Sequence, residues 1–121
     1  MKKYLTIALL FLFNLVSAQN SYNLSLLGTF EWSSTEGSDI WGWADPTDGS
    51  EYALVGLNDG FSVVNVTNPT NPTEMFYISD LNSTWRDIKT WEHYAYVTTE
   101  ADAGLLIVDL SDMSGNTYWH V

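Results

Sequence analysis

The sequence predicts an all-β fold of short four-stranded antiparallel blades, and three observations carry that reading. First, the chain nearly repeats itself. Asp39-Ile40-x-x-Trp43, Tyr52-Ala53-x-Val55 and Gly60-x-x-Val63-Val64-Asn65 recur in the same order as Asp87-Ile88-x-x-Trp91, Tyr94-Ala95-x-Val97 and Gly104-x-x-Ile107-Val108-Asp109. The copies stand 48, 42 and 44 residues apart at these three anchors, a period that marks one blade of a β-propeller. Second, past the N-terminal segment no window carries helical periodicity, whereas alternating and β-branched runs fill the chain. Third, turn-forming residues interrupt those runs at corresponding places in both copies.

The elements follow in order. Met1-Lys2-Lys3 is a positive leader, Leu5 to Val16 is an apolar run, and Val16-Ser17-Ala18 supplies the small residues of a cleavage site, so residues 1–18 read as an export signal. The competing reading, a membrane anchor, fails on length: this run is 12 residues with Asn14 inside it, against about 20 for a spanning helix. Residues 19–121 are then the N-terminal part of a propeller. After a polar leader from Gln19 to Asn23, Leu24 to Trp32 is expected to be a first strand. Blade one, about 39–78, takes strands at Asp39 to Trp43, Tyr52 to Leu57, Phe61 to Val66 and Glu74 to Ile78. Asn58-Asp59-Gly60 tolerates positive φ and is expected to make the tight hairpin between its second and third strands. Asn68-Pro69-Thr70-Asn71-Pro72 cannot continue a ladder, because proline lacks an amide donor. Blade two, about 86–121, takes strands at Arg86 to Trp91, Tyr94 to Thr98, Leu105 to Leu110 and from Thr117 onward, with Ser111-Asp112-Met113-Ser114-Gly115 as the matching break.

Two blades are fewer than the roughly four to eight that close a propeller. The expectation is that the chain is a piece of a longer protein, with oligomerisation of a short chain as the alternative route to closure. Cysteine is absent, so packing rather than disulfides must hold the fold. The six tryptophans are expected to serve core and blade-to-blade packing, with exposed sugar-stacking platforms as the other use. Without the first 18 residues the chain holds 15 acidic side chains against two basic ones, Arg86 and Lys89. Such a surface repels nucleic acid and anionic lipid, and it suits solubility, cations or cationic partners.

The third strand of the second copy, Gly104-Leu105-Leu106-Ile107-Val108-Asp109, resembles the motif that names the LVIVD repeat. Gly60-Phe61-Ser62-Val63-Val64-Asn65, with the Asn-Pro run that follows it, is a looser copy. Together with Ser38-Asp39-Ile40-Trp41-Gly42-Trp43 and Ser83-Thr84-Trp85-Arg86-Asp87-Ile88-Lys89, nearly all of residues 24–121 resembles bacterial secreted proteins of the choice-of-anchor B type. The resemblance implies a propeller-like, exported or cell-surface protein with no established catalytic residues to carry over.

The repeat also sorts the candidate site residues. Asp39 and Asp87 occur in both copies and are expected to serve the scaffold by accepting from backbone donors. Departures from symmetry are where a site is expected. The turn at Glu100-Ala101-Asp102-Ala103 is longer than its counterpart and shares a face with the connection from Ser79 to Trp85. Asp80, Asn82, Trp85, Arg86, Glu100 and Asp102 are thus the ligand or partner candidates, a solvated loop being the alternative. Arg86 and Lys89, replacing Ser38 and Trp41, are expected in ion pairs. The loop from Trp43 to Tyr52 holds Asp45, Asp48 and Glu51, hard oxygen ligands that could take Ca²⁺. Their spacing departs from the EF-hand pattern, and Asp-Pro and Asp-Gly are ordinary turn makers. No cofactor is otherwise expected. His93 and His120 lie far apart, and no metalloprotease, nucleophile-elbow or phosphate-loop motif occurs. The function expected is therefore an exported, non-enzymatic interaction scaffold for a protein or glycan partner. A glycan-binding module and, beyond it, a propeller hydrolase or lyase are the alternatives.

Overall fold

The computed structural model describes residues 23–121; the expected export signal at 1–18 lies outside them. The described residues form eight strands in two four-stranded antiparallel sheets, each strand paired with its neighbours in sequence. Blade one consists of β1 (Gly37–Ala44), β2 (Glu51–Leu57), β3 (Gly60–Asn65) and β4 (Thr73–Ser79). Blade two consists of β5 (Arg86–Trp91), β6 (Tyr94–Thr99), β7 (Leu106–Asp109) and β8 (Tyr118–His120). These match the blades expected from the repeat, to within two residues at each strand end. No helix among the described residues is long and apolar enough to cross a membrane.

The core lies between the blades. Alternation along each strand sends one set of side chains to a single face, and the register brings those sets into line: Leu54 opposite Val63 and Phe61 opposite Ile78 in blade one, Ile88 opposite Val97 and Ala95 opposite Val108 in blade two. All of these, with Trp43, Tyr52, Phe76, Leu106 and Leu110, belong to one buried cluster. The two sheets therefore stack face to face as adjacent blades do. Phe61 and Phe76 meet at 6.5 Å, and Gly115, at φ 70°, lies so close that a β-carbon would sit 2.5 Å from the Phe76 ring.

Two expectations change. Leu24 to Trp32 is not a strand. The segment lies against the outer part of blade one, where Trp32 Nε1 donates to Glu74 Oε1 at 2.9 Å and Gly28 abuts the Pro69 carbonyl. Leu24 and Leu26 stay 79% and 82% exposed, because alternation alone makes no ladder without a strand edge alongside. The Asn58-Asp59 hairpin forms as a two-residue connection, but neither it nor Gly60 is among the described residues with positive φ. Gly60 is needed for space instead: a β-carbon there would lie 2.3 Å from the Ile78 carbonyl oxygen and 2.6 Å from the Tyr77 hydroxyl. Between strands of the described residues, the turn that strains a side-chain-bearing residue is the one joining β5 and β6, where Glu92 has φ 52°.

Candidate functional site

At the end of the blades where β2 turns into β3, the connection from β4 to β5 crosses between the sheets, and Arg86 organises that crossing. Its side chain is fully buried, as is 95% of the Asp80 side chain. Arg86 Nη1 meets Asp80 Oδ2 at 2.7 Å, Nε donates to the Leu57 carbonyl at 2.6 Å, and Nη2 donates to the Leu81 carbonyl. One guanidinium thus ties β2 of blade one to the β4–β5 connection and to the start of β5, the planar multi-donor task that suits arginine. Gly56 leaves the room for it, since a β-carbon there would be 2.9 Å from Arg86 Cβ. His120 Nε2 lies 3.5 Å from the other Asp80 oxygen. The expected ion pair for Arg86 is present, and it is structural.

Around this rivet two polar clefts open. One, of about 440 Å³, is lined by Ser38, Asp39, Trp85, Arg86, Asp87, Thr98, Thr99 and Glu100. The other, of about 500 Å³, is lined by Ser34, Thr35, Glu36, Asn58, Asp59, Asn82, Ser83 and Thr84. The structure therefore brings Trp85, Arg86 and Glu100 to one cleft and Asn82 to its neighbour. Asp80 is buried beneath, and exposed Asp102 on the β6–β7 loop lines neither cleft. Trp85 is 64% exposed, with the carboxylates of Asp39, Asp87 and Glu100 in the same lining. A flat apolar ring beside several acceptors can stack a sugar or hold a cationic side chain.

Asp39 is more than blade scaffold. Its Oδ2 accepts from the Ile88 backbone N–H at 2.9 Å, so it bonds across the seam to the next blade rather than within its own. Ser38 Oγ accepts from Arg86 N at 2.9 Å, Trp41 Nε1 donates to Thr90 Oγ1 at 3.0 Å, and Trp43 Nε1 donates to the Glu92 carbonyl at 3.0 Å. This last bond braces the strained turn. The signal for all four was present in the repeat: each partner lies 48 or 49 residues away, the blade period itself. Replacing Asp39 with Ala is expected to cost about 1–2 kcal/mol in urea unfolding, the penalty for a part-buried amide left unpaired. Asp87→Ala should leave the urea midpoint nearly unchanged, as exposed surface changes do.

Lys89 pairs with Asp87 at 3.0 Å on the surface, and its ammonium lies 4.3 Å from the Trp41 ring centroid. Hydrogen bonding from Lys89 holds the Asp87 carboxyl below its ordinary range. In the β1–β2 loop, Asp45 Oδ1 accepts from Thr47 N and Oγ1, and Asp48 Oδ1 accepts from Ser50 N. Both make local turns, and no group of three potential metal ligands converges among the described residues. Asp45, Asp48 and Glu51 are thus not gathered as a Ca²⁺ cage.

Partial burial pushes the Tyr77 phenol from 10.0 up to about 12, with the Asp59 carboxylate adding to the shift, while its hydroxyl donates to the Asp59 carbonyl at 2.7 Å. Between pH 10 and about 12 the folded chain keeps a proton that the unfolded chain has lost. That stabilisation is complete below pH 10 and disappears as pH rises through about 12. An ultraviolet titration should show a late tyrosinate step that Tyr77→Phe removes; an unchanged titration curve would contradict this assignment.

No curated protein and no solved structure matches the chain. The LVIVD repeat model matches residues 50–80 and 84–117. The first match runs from the end of the β1–β2 loop through β4, and the second covers β5 through β7 up to the start of β8. With more than half its length matched and the repeat visible in both sheets, this chain belongs to the LVIVD repeat family.

Proposed function

We propose that the chain is a non-enzymatic interaction module of an exported bacterial protein of the choice-of-anchor B kind, displayed at the cell surface or released. Its working end is the one where the β4–β5 connection and the β6–β7 loop meet, and its partner is a protein with a basic surface. The observation that carries this reading is the cleft holding Asp39, Asp87 and Glu100 around the 64% exposed Trp85. Those carboxylates attract ammonium and guanidinium groups, and the indole face accepts them by cation–π contact. The export signal expected at residues 1–18 supplies the address.

A titration of the full chain with an oligolysine peptide tests the proposal. Binding should weaken as salt rises and should fall several-fold in Asp87→Asn and Glu100→Gln. Binding that ignores both substitutions would defeat it. The exposure of Trp85 favours one second reading, a glycan module. Reproducible sugar binding on a glycan array, abolished by Trp85→Ala, would replace the protein partner with a carbohydrate. A hydrolase or lyase is the remaining class; its sign would be a substrate turned over by the parent chain and spared by folded Asp87→Asn or Glu100→Gln.

A further inference from the structure

The cleft of about 500 Å³ lies between the residues before β1, the β2–β3 hairpin and the β4–β5 connection, and none of Trp85, Asp87 and Glu100 lines it. Backbone hydrogen bonds fix its walls. Asn58 N donates to the Glu36 carbonyl at 3.0 Å, Ser83 N donates to the Asn58 carbonyl at 2.8 Å, and Asp80 N donates to the Asp59 carbonyl at 2.9 Å. The hairpin is thus clasped from both sides, and the cavity stands preformed at a volume within the roughly 300–1,000 Å³ of small-molecule sites.

The side chains around it are left over from the fold. Elsewhere in the loops, Asp45, Asp48, Asn65, Asn68, Asp109 and Asp112 each accept from the amide two residues on, the local closure usual for these residues. Ser34, Glu36, Asn58, Asn82 and Thr84 make no side-chain hydrogen bond to the described residues, and all five line this one cleft. Among the described residues, the buried side-chain polar atoms without a partner are Thr35 Oγ1 and Asp59 Oδ1, and both residues belong to the same lining. The Thr35 hydroxyl is near enough to hold the Asp59 carboxyl below its ordinary range, yet no hydrogen bond of normal geometry closes between them. No bond therefore fixes the Thr35 rotamer, and turning it into the cavity would satisfy a hydroxyl whose unmet bond is otherwise a cost.

An adjoining cavity of about 270 Å³ shares Ser34, Thr35 and Asp59 and adds two aromatic rings, Trp32 and Tyr77. Both rings are held by their polar ends, Trp32 Nε1 on Glu74 at 2.9 Å and the Tyr77 hydroxyl on the Asp59 carbonyl at 2.7 Å. We infer that the joined cleft binds a neutral sugar ring, with its hydroxyl edge on Glu36, Asn58, Asn82 and Thr84 and its C–H face toward Trp32. Each sugar hydroxyl both donates and accepts, which matches a lining of amides, hydroxyls and carboxylates, and the apolar face of the ring suits an indole. Glu36 and Asp59, with no Lys or Arg in either lining, turn away anionic sugars. An extended peptide adds to a sheet through free backbone groups, and those at Asn58, Asp59 and Ser83 are already paired with one another or with their neighbours. A free hexose and the end of a polysaccharide chain share the chemistry that fits.

Saturation-transfer NMR on the full chain tests this with glucose, galactose, mannose and N-acetylglucosamine, each as the free sugar and as its trisaccharide. Transfer to at least one of them is expected, and none to glucuronate. Tighter binding of the trisaccharide identifies a chain end, and equal binding a free sugar. Asn82→Ala and Trp32→Ala should each weaken that binding about tenfold. Trp85→Ala should leave it unchanged, and so should saturating oligolysine, so the result stands apart from whether the neighbouring cleft takes a basic partner. Asn82 is exposed, so its variant should fold as the parent does; should circular dichroism show that Trp32→Ala does not, Thr84→Val takes its place under the same outcomes. Silence across the panel, binding that survives both substitutions, binding abolished by Trp85→Ala, or amide shifts at Asn58 and Asn82 on adding oligolysine instead of sugar would each overturn the proposal.

Discussion

Arg86→Ala is expected to remove about 3–5 kcal/mol of stability, the cost of stripping one partner from a buried ion pair. The substitution leaves the Asp80 carboxylate, 5% exposed, with the Leu81 amide at 2.8 Å and His120 at 3.5 Å as its remaining contacts. It also removes the Arg86 donors from the Leu57 and Leu81 carbonyls. Arg86→Lys should fail nearly as badly, because one ammonium on a flexible stem cannot reach all three acceptors in the geometry of a guanidinium. Against a total stability of about 5–15 kcal/mol for a domain of this size, either change takes a large share. Urea unfolding of the two variants checks this; a loss under about 1 kcal/mol for both would mean that the bonds observed at Arg86 do not hold the connection.

Phe61→Ala should be the next most damaging change, at about 3–5 kcal/mol. Phe61 is fully buried on β3, opposite Ile78 and 6.5 Å from the Phe76 ring. Phe76 in turn is pinned by Gly115, where no side chain has room, so collapse into the cavity is restricted from both sides. Leu24→Ala provides the contrast: at 79% exposure it should change stability by less than about 0.5 kcal/mol. Equal losses at the two positions would contradict the location of the core.

The blades were legible because two copies of one pattern remove the ambiguity that a single short apolar run leaves. Strand ends at Arg86 and Trp91 fell where expected, since Trp85 and the Glu92-His93 turn bound that run tightly. Leu24 to Trp32 was misread because its alternation is real but its pairing partner is not in view of the sequence. Gly60 was read for its φ and is needed for its missing β-carbon, a requirement set by Ile78 and Tyr77 from 18 and 17 residues away. At the candidate site, Trp85, Arg86 and Glu100 converge as the loop argument expected. The depth of Asp80 was hidden, because it depends on how the sheets stack rather than on either sheet alone, whereas the seam bond of Asp39 left the blade offset as its one trace in the sequence.

Each sheet is a meander, with every strand beside its neighbour in sequence, and this has a kinetic consequence. Local pairings close short loops and cost little entropy before they are rewarded. The seam must join residues 48 or 49 positions apart, so it belongs to the late part of the folding reaction. A weakened seam should then accelerate unfolding while leaving the folding rate nearly untouched, the signature of contacts absent from the transition state. Lifetime of the folded chain, more than the speed of its formation, is what the two-blade interface controls.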